Sequence, residues 1–173
     1  MSPVSITLQI FVTLVAVWVQ FSWFGPLRPF DVVPNVMLIV VVLAALWSSA
    51  TTALLMAVFG GILLDVVSGA DFGLRTGFFT LVALAIIAAR QFGLHAESVP
   101  TALGILVLAT VSFNVAILGS IGTASIEWGV VWWRIGAEIL LNGIILIALY
   151  GLRELTRNRR ARVADELKRG SWL

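Results

Sequence analysis

Apolar residues gather in six blocks along the chain, at about 6–24, 33–47, 50–67, 77–89, 99–121 and 130–152. Each block is continuous instead of alternating, so the period-two strands of a membrane β-barrel are excluded and helices are predicted. The breaks carry turn chemistry. Gly25, Pro26 and Pro29 close the first block, Ser48 and Ser49 divide the second from the third, and the stretch from Gly69 to Gly73 closes the third. At about 1.5 Å per residue, the second block rises about 22 Å and the fourth about 20 Å, against a hydrocarbon core of about 30 Å. These two are predicted to sit inside the bundle or to borrow flanking residues.

Composition turns this pattern into a class. Of 173 residues, 60% are hydrophobic and only 12% charged, and the mean hydropathy is +1.06. An integral membrane protein is expected: all-α, polytopic, a six-transmembrane-helix bundle over residues 1–152 with a basic tail over 153–173. The first block lacks a basic leader and a small-residue cleavage pattern, so it reads as a retained span. With no cysteine in the chain, disulfides and thiolate metal sites are excluded.

Charge sets an expected orientation. The tail holds Arg153, Arg157, Arg159, Arg160, Arg162, Lys168 and Arg169, out of 11 Lys and Arg in all. The positive-inside rule therefore places it in the cytoplasm, and six spans bring the N-terminus and Arg90 to the same side. Arg28, Arg75 and Arg134 fall outside. Trp23, Trp47, Trp128, Trp132 and Trp133 lie at block ends, where aromatic belts form. A juxtamembrane polybasic segment attracts anionic lipid by about 1 kcal/mol per basic residue near the surface, so anionic lipids are the expected partner of the tail and nucleic acid is not.

One acid stands out within the third block. Ala53, Ala57, Gly61, Asp65 and Gly69 recur every four residues, forming a face of small side chains that includes a carboxylate. A charge facing lipid at mid-membrane costs about 2.5–3.5 kcal/mol on insertion scales, so Asp65 is expected to face protein, water or a cation. The sixth block carries Arg134, Glu138 and Asn142 at the same spacing. Arg134 can pair with Glu138 or with Asp65, and Arg75 is a third candidate. Asp65, Arg75, Arg134 and Glu138 are thus expected to converge in the outer half of the membrane, with Asn35, Thr110 and Asn114 completing a network. Two uses are open: a structural lock on helix packing, or a ligand pocket or partner site.

Catalysis is not expected. The single histidine, His95, lies with Glu97 in a predicted loop far from Asp65 and Ser68, and a nucleophile needs its base within hydrogen-bond reach. No His or carboxylate pair has metal-binding spacing, and no cofactor or metal is implied. No charged row repeats along several helices to line an ion path.

Three stretches carry a family likeness. "PNVMLIVVVLA" from Pro34, "FGGILLDVVSGADFGLRTG" from Phe59 and "NGIILIALYGLRE" from Asn142 resemble the rod shape-determining protein MreD family. The central stretch is the specific part: paired small residues, a hydrophobic triplet, Asp, two hydrophobics, Ser-Gly, then Gly-hydrophobic-Arg. The resemblance implies a non-catalytic scaffold subunit of the bacterial cell-elongation complex, in the cytoplasmic membrane. Its implied partners are an MreC-like protein, the MreB filament, the RodA glycosyltransferase and its penicillin-binding transpeptidase, in support of lateral peptidoglycan synthesis and cell shape. Asp65, Ser68, Gly69, Gly73 and Arg75 are the family-like positions.

The fold implied is similar to that of the S components of energy-coupling-factor transporters, which makes a small-molecule uptake subunit the rival reading. S components dock through an Ala-xxx-Ala face on the first helix. Here that helix offers a single Ala16 amid Val and Phe, so the docking surface looks absent.

Overall fold

The computed structural model describes residues 3–22, 29–69, 73–93, 98–121 and 127–170; the side chains of 3–6, 29, 120, 121 and 157–170 lie outside that description. Among the described residues all regular structure is helical, in six α-helices: α1 (Pro3–Ser22), α2 (Val36–Trp47), α3 (Ala50–Ser68), α4 (Leu74–Gln91), α5 (Val99–Ile121) and α6 (Trp128–Gly170), with one 3-10 turn, Pro29–Asp31, before α2. Trp23, Arg28, His95 and Glu97 fall outside the described residues.

Among the described residues, four helices are long and apolar enough to cross a membrane, over Ala50–Ser68, Leu74–Gln91, Val99–Gly119 and Trp128–Thr156. The apolar stretches Thr7–Ser22 and Val36–Trp47 are shorter. Helix α2, at 12 residues, rises about 18 Å, and its place in the bundle explains how so short a helix is tolerated. It is the axis: α1, α3, α4, α5 and α6 all pack on it, and residues from Met37 to Leu46 are buried almost without exception. A helix that meets protein on every side has no need to match the thickness of lipid.

Around this axis the other helices form two groups. One is α1 with α3 and α3 with α4; the other is α5 with α6. Neither α4 with α5 nor α6 with α1 packs extensively, so the ring around α2 is open on two sides. A rim of phenylalanines closes one end of the α4–α5 opening, where Phe78 and Phe79 meet Phe113 at 5.1 and 5.9 Å between ring centroids.

The small-residue face of α3 is buried as its spacing predicts, with Ala53, Ala57, Gly61 and Asp65 all inside. Its partner comes from the same chain. A Cβ on Gly61 would collide with the backbone of Thr76 on α4, and one on Gly60 would collide with the Met37 side chain on α2. Two adjacent glycines thus let α3 approach two neighbours at once. The fourth helix is longer than the apolar block 77–89 predicts because its first turn, from Leu74, includes the polar Arg75 and Thr76. Helix α6 runs unbroken through the basic tail for 43 residues, about 64 Å, or twice the hydrocarbon thickness.

Candidate functional site

The Asp65 carboxylate accepts four hydrogen bonds inside the bundle. The chain ends α3 at Ser68, turns through Gly69 in the left-handed region, and starts α4 behind Gly73, also left-handed. A helix start leaves backbone N–H groups unpartnered, and a side chain at the N-cap ordinarily accepts from them. Gly73 occupies that position and has no side chain to offer. Asp65, eight residues back, does the work. Its Oδ2 accepts from the Gly73 N–H at 3.0 Å, the Thr76 N–H at 3.1 Å and the Thr76 hydroxyl at 2.7 Å, and its Oδ1 accepts from the Arg75 N–H at 3.1 Å. The carboxylate is 2% exposed. It lies against the positive end of the α4 dipole, where a negative charge is stabilised.

The surrounding residues build the same clasp. The Arg75 side chain turns back and donates from Nη1 to the Leu64 carbonyl at 3.0 Å, so Arg75 holds the end of α3 while its own N–H holds Asp65. Ser68 Oγ donates to the Asp65 carbonyl at 3.4 Å. Gly69 and Gly73 supply the positive φ angles of the turn, 60° and 97°, and Gly61 lets the helices close up below it.

A second polar group lies between α2, α5 and α6. Asn142 is fully buried; its Oδ1 accepts from the Asn35 N–H at 2.9 Å and its Nδ2 donates to Thr110 Oγ1 at 3.2 Å. Asn35 caps α2 by accepting from the Leu38 N–H at 3.1 Å. One turn along α6, Glu138 Oε2 accepts from Asn114 Nδ2 at 2.8 Å, and that same amide donates to the Thr110 carbonyl. Of the four charges expected to converge, Asp65 and Arg75 lie together and Arg75 and Glu138 line one cavity, but the expectation fails for Arg134 and is corrected. Arg134 is exposed, and no hydrogen bond or ion pair joins it to Glu138 or Asp65. At the first turns of α6, within reach of water or headgroups, an arginine has no need of a buried partner. Asp65 is likewise satisfied by backbone N–H groups and Thr76 in place of Arg134.

The two polar groups share a cavity of about 310 Å³ whose walls include Arg75, Asn35, Asn114, Glu138 and Gln20, with Phe21 and Phe113 beside them. At the opposite end of the bundle an apolar groove of about 660 Å³ fills the α1–α6 opening, bounded by Val12, Ala44, Trp47, Thr52 and Leu149. A third concavity, about 380 Å³, fills the α4–α5 opening. Among the described residues no group of three or more His, Cys, Asp or Glu could hold a metal ion.

Two cationic residues at the groove end have roles that sequence reasoning missed. Arg90 Nη1 donates to the carbonyls of Ala45 and Ser48 at 2.8 and 3.0 Å, capping the C-terminus of α2. Arg153 sits 4.2 Å from the Trp47 ring, which itself lies edge-on to Tyr150. Trp47 is thus a packing residue and not a lipid-belt residue, whereas Trp128, Trp132 and Trp133 are exposed as a belt requires. Thr76 was also missed; its signal is a helix start headed by glycine, which leaves capping to a distant acceptor. Arg157, Arg159, Arg160 and Arg162 lie on the helical continuation of α6, their side chains outside the described residues.

Compared with family models, with curated proteins and with solved structures, the chain matches none.

Proposed function

We propose that this chain is a non-catalytic, multi-pass scaffold subunit of the bacterial cell-elongation complex, with six membrane-embedded helices and both termini in the cytoplasm. The observation that carries the reading is the fate of the stretch on which the MreD resemblance is most specific. Within that stretch the described residues 59–69 and 73–77 form an internal clasp, with Asp65, Ser68, Gly69, Gly73 and Arg75 as its parts. Residues shared with a family of scaffolds here build the bundle, and Asp65 spends its acceptor capacity on the start of α4.

In this reading the partner surface differs from the one the sequence suggests. The small-residue face of α3 packs on α4 and α2 of the same chain, which favours a meeting place elsewhere for an MreC-like partner. The two openings beside α2 remain as largely apolar grooves, each bordered by helices on which a partner's membrane segment can pack. The basic continuation of α6 reaches well beyond one face of the membrane, towards anionic lipid and the filament-associated machinery. The S-component likeness of the fold is part of the same proposal. Uptake is the weaker reading, since the first helix offers a single Ala16 amid Val and Phe in place of an Ala-xxx-Ala docking face.

Depletion in a rod-shaped host tests the proposal. Loss of the chain is expected to give rounded cells with label for new peptidoglycan no longer distributed along the side wall. Normal rods coupled to a vitamin requirement would overturn the scaffold reading in favour of uptake.

A further inference from the structure

Glu138 is 8% exposed and stands one turn beyond Arg134 on α6, buried in a helix long and apolar enough to cross a membrane. An ionised carboxylate there is costly unless a cation or several donors face it. Its hydrogen-bond donors are neutral amides, Asn114 on α5 and Asn142 one turn along α6, and among the described residues no cation faces it. Arg134, one turn away on the same helix, points elsewhere and is exposed. Arg75 lines the same cavity but makes no ion pair with Glu138, and its guanidinium is engaged with the Leu64 carbonyl beside Asp65. The charged groups on the cavity wall are Glu138 and Arg75, one of each sign.

The geometry points to an occupant: the cavity of about 310 Å³ binds a small zwitterion whose primary ammonium faces Glu138 and whose phosphate or carboxylate faces Arg75. Opposite charges on two walls of one cavity, held apart from each other, complement a molecule that carries both. Phe21 and Phe113 line the same space, and aromatic faces attract ammonium groups. A divalent cation fits poorly, because hard ions take six or more oxygen ligands, usually with several carboxylates, and the described residues offer no such cluster. The same aminoalkyl-phosphate or amino-acid chemistry has two sources, the headgroup of a zwitterionic phospholipid such as phosphatidylethanolamine and a free small molecule. The inference is independent of the scaffold reading, and failure of either leaves the other standing.

Native mass spectrometry of the full chain, released from nanodiscs of equal phosphatidylethanolamine and phosphatidylglycerol with matched acyl chains, provides the test, with O-phosphoethanolamine and glycine as free probes. At least tenfold retention of phosphatidylethanolamine over phosphatidylglycerol is expected if the source is lipid. Binding of a free probe below about 1 mM, the weak end of specific affinities, identifies a soluble source. Glu138→Gln is expected to lose at least tenfold of either. Ile117→Trp, which fills the cavity and leaves both charges in place, is expected to do the same and decides the matter if Glu138→Gln does not fold. Equal retention of the two lipids together with no binding of the free probes overturns the proposal and leaves a protonated carboxyl and water in the cavity. Unchanged binding in a folded Glu138→Gln, or in Ile117→Trp, also overturns it.

Discussion

Replacing Asp65 with leucine removes four hydrogen bonds at once, three of them from backbone N–H groups in the first turn of α4. A buried donor left without an acceptor costs about 1–3 kcal/mol. Three such donors would give about 3–9 kcal/mol if independent, but a helix end can recruit water, so a loss of about 3–5 kcal/mol is expected. That is a large share of a total stability of about 5–15 kcal/mol. Asp65→Asn keeps one acceptor oxygen, sets an amide N–H₂ against the remaining donors, and gives up a charge–dipole attraction of up to about 2 kcal/mol. Arg134→Gln, at an exposed site, should stay within about 0.5 kcal/mol of the parent. The assay is reversible unfolding in mixed micelles titrated with sodium dodecyl sulfate, followed by tryptophan fluorescence, after membrane fractionation has shown that each variant inserts. The expected order of stability is parent and Arg134→Gln together, then Asp65→Asn, then Asp65→Leu. If Asp65→Leu unfolded within about 1 kcal/mol of Arg134→Gln, smaller than the loss of a single buried donor's partner at its typical cost, the clasp would carry no weight and the carboxylate would need another explanation.

Further substitutions probe the rest of the bundle. Gly61→Ala drives a methyl group into the Thr76 backbone and should destabilise by about 1–3 kcal/mol, whereas Gly77→Ala, whose added Cβ meets nothing, should be neutral or stabilising by up to about 1 kcal/mol; the same unfolding titration compares them. A double-mutant cycle of Thr110→Val with Asn142→Leu should return a coupling near 0.6 kcal/mol, typical of side-chain hydrogen bonds between membrane helices, and zero coupling would dissolve the Asn35–Asn142–Thr110 chain. Arg153→Ala removes the cation over Trp47, at about 0.5–1 kcal/mol, and should shift the emission of that indole while leaving a variant at Trp132 unaffected.

The helices were legible because lipid enforces a simple rule: a chain crossing hydrocarbon must satisfy its backbone internally and present apolar side chains, so the blocks read directly. The end of α3 at Gly69 and the burial of Ala53, Ala57, Gly61 and Asp65 followed from turn chemistry and four-residue spacing. The start of α4 did not, because Arg75 and Thr76 look like loop residues until Asp65 is seen to need their N–H groups. Pairing was harder to read than position. Four charges on helix faces at one end of a bundle invite mutual pairing, yet helix rotation leaves Arg134 outside and sends Asp65 to backbone donors, and neither rotation nor backbone capping across eight residues is written in a charge pattern. Arg90 was read as a marker of sidedness and turns out to cap α2. The openings beside α2 were invisible for a related reason: which helices fail to touch is a property of packing, not of any one segment.

The scaffold reading meets its most direct test in affinity purification of the full chain from a mild detergent extract, with the co-purifying proteins identified by mass spectrometry. The account predicts cell-wall elongation proteins, with an MreC-like membrane protein foremost, and their retention when Arg134 is replaced by glutamine. Recovery of ATPase and transmembrane coupling subunits of a transporter in their place would contradict it.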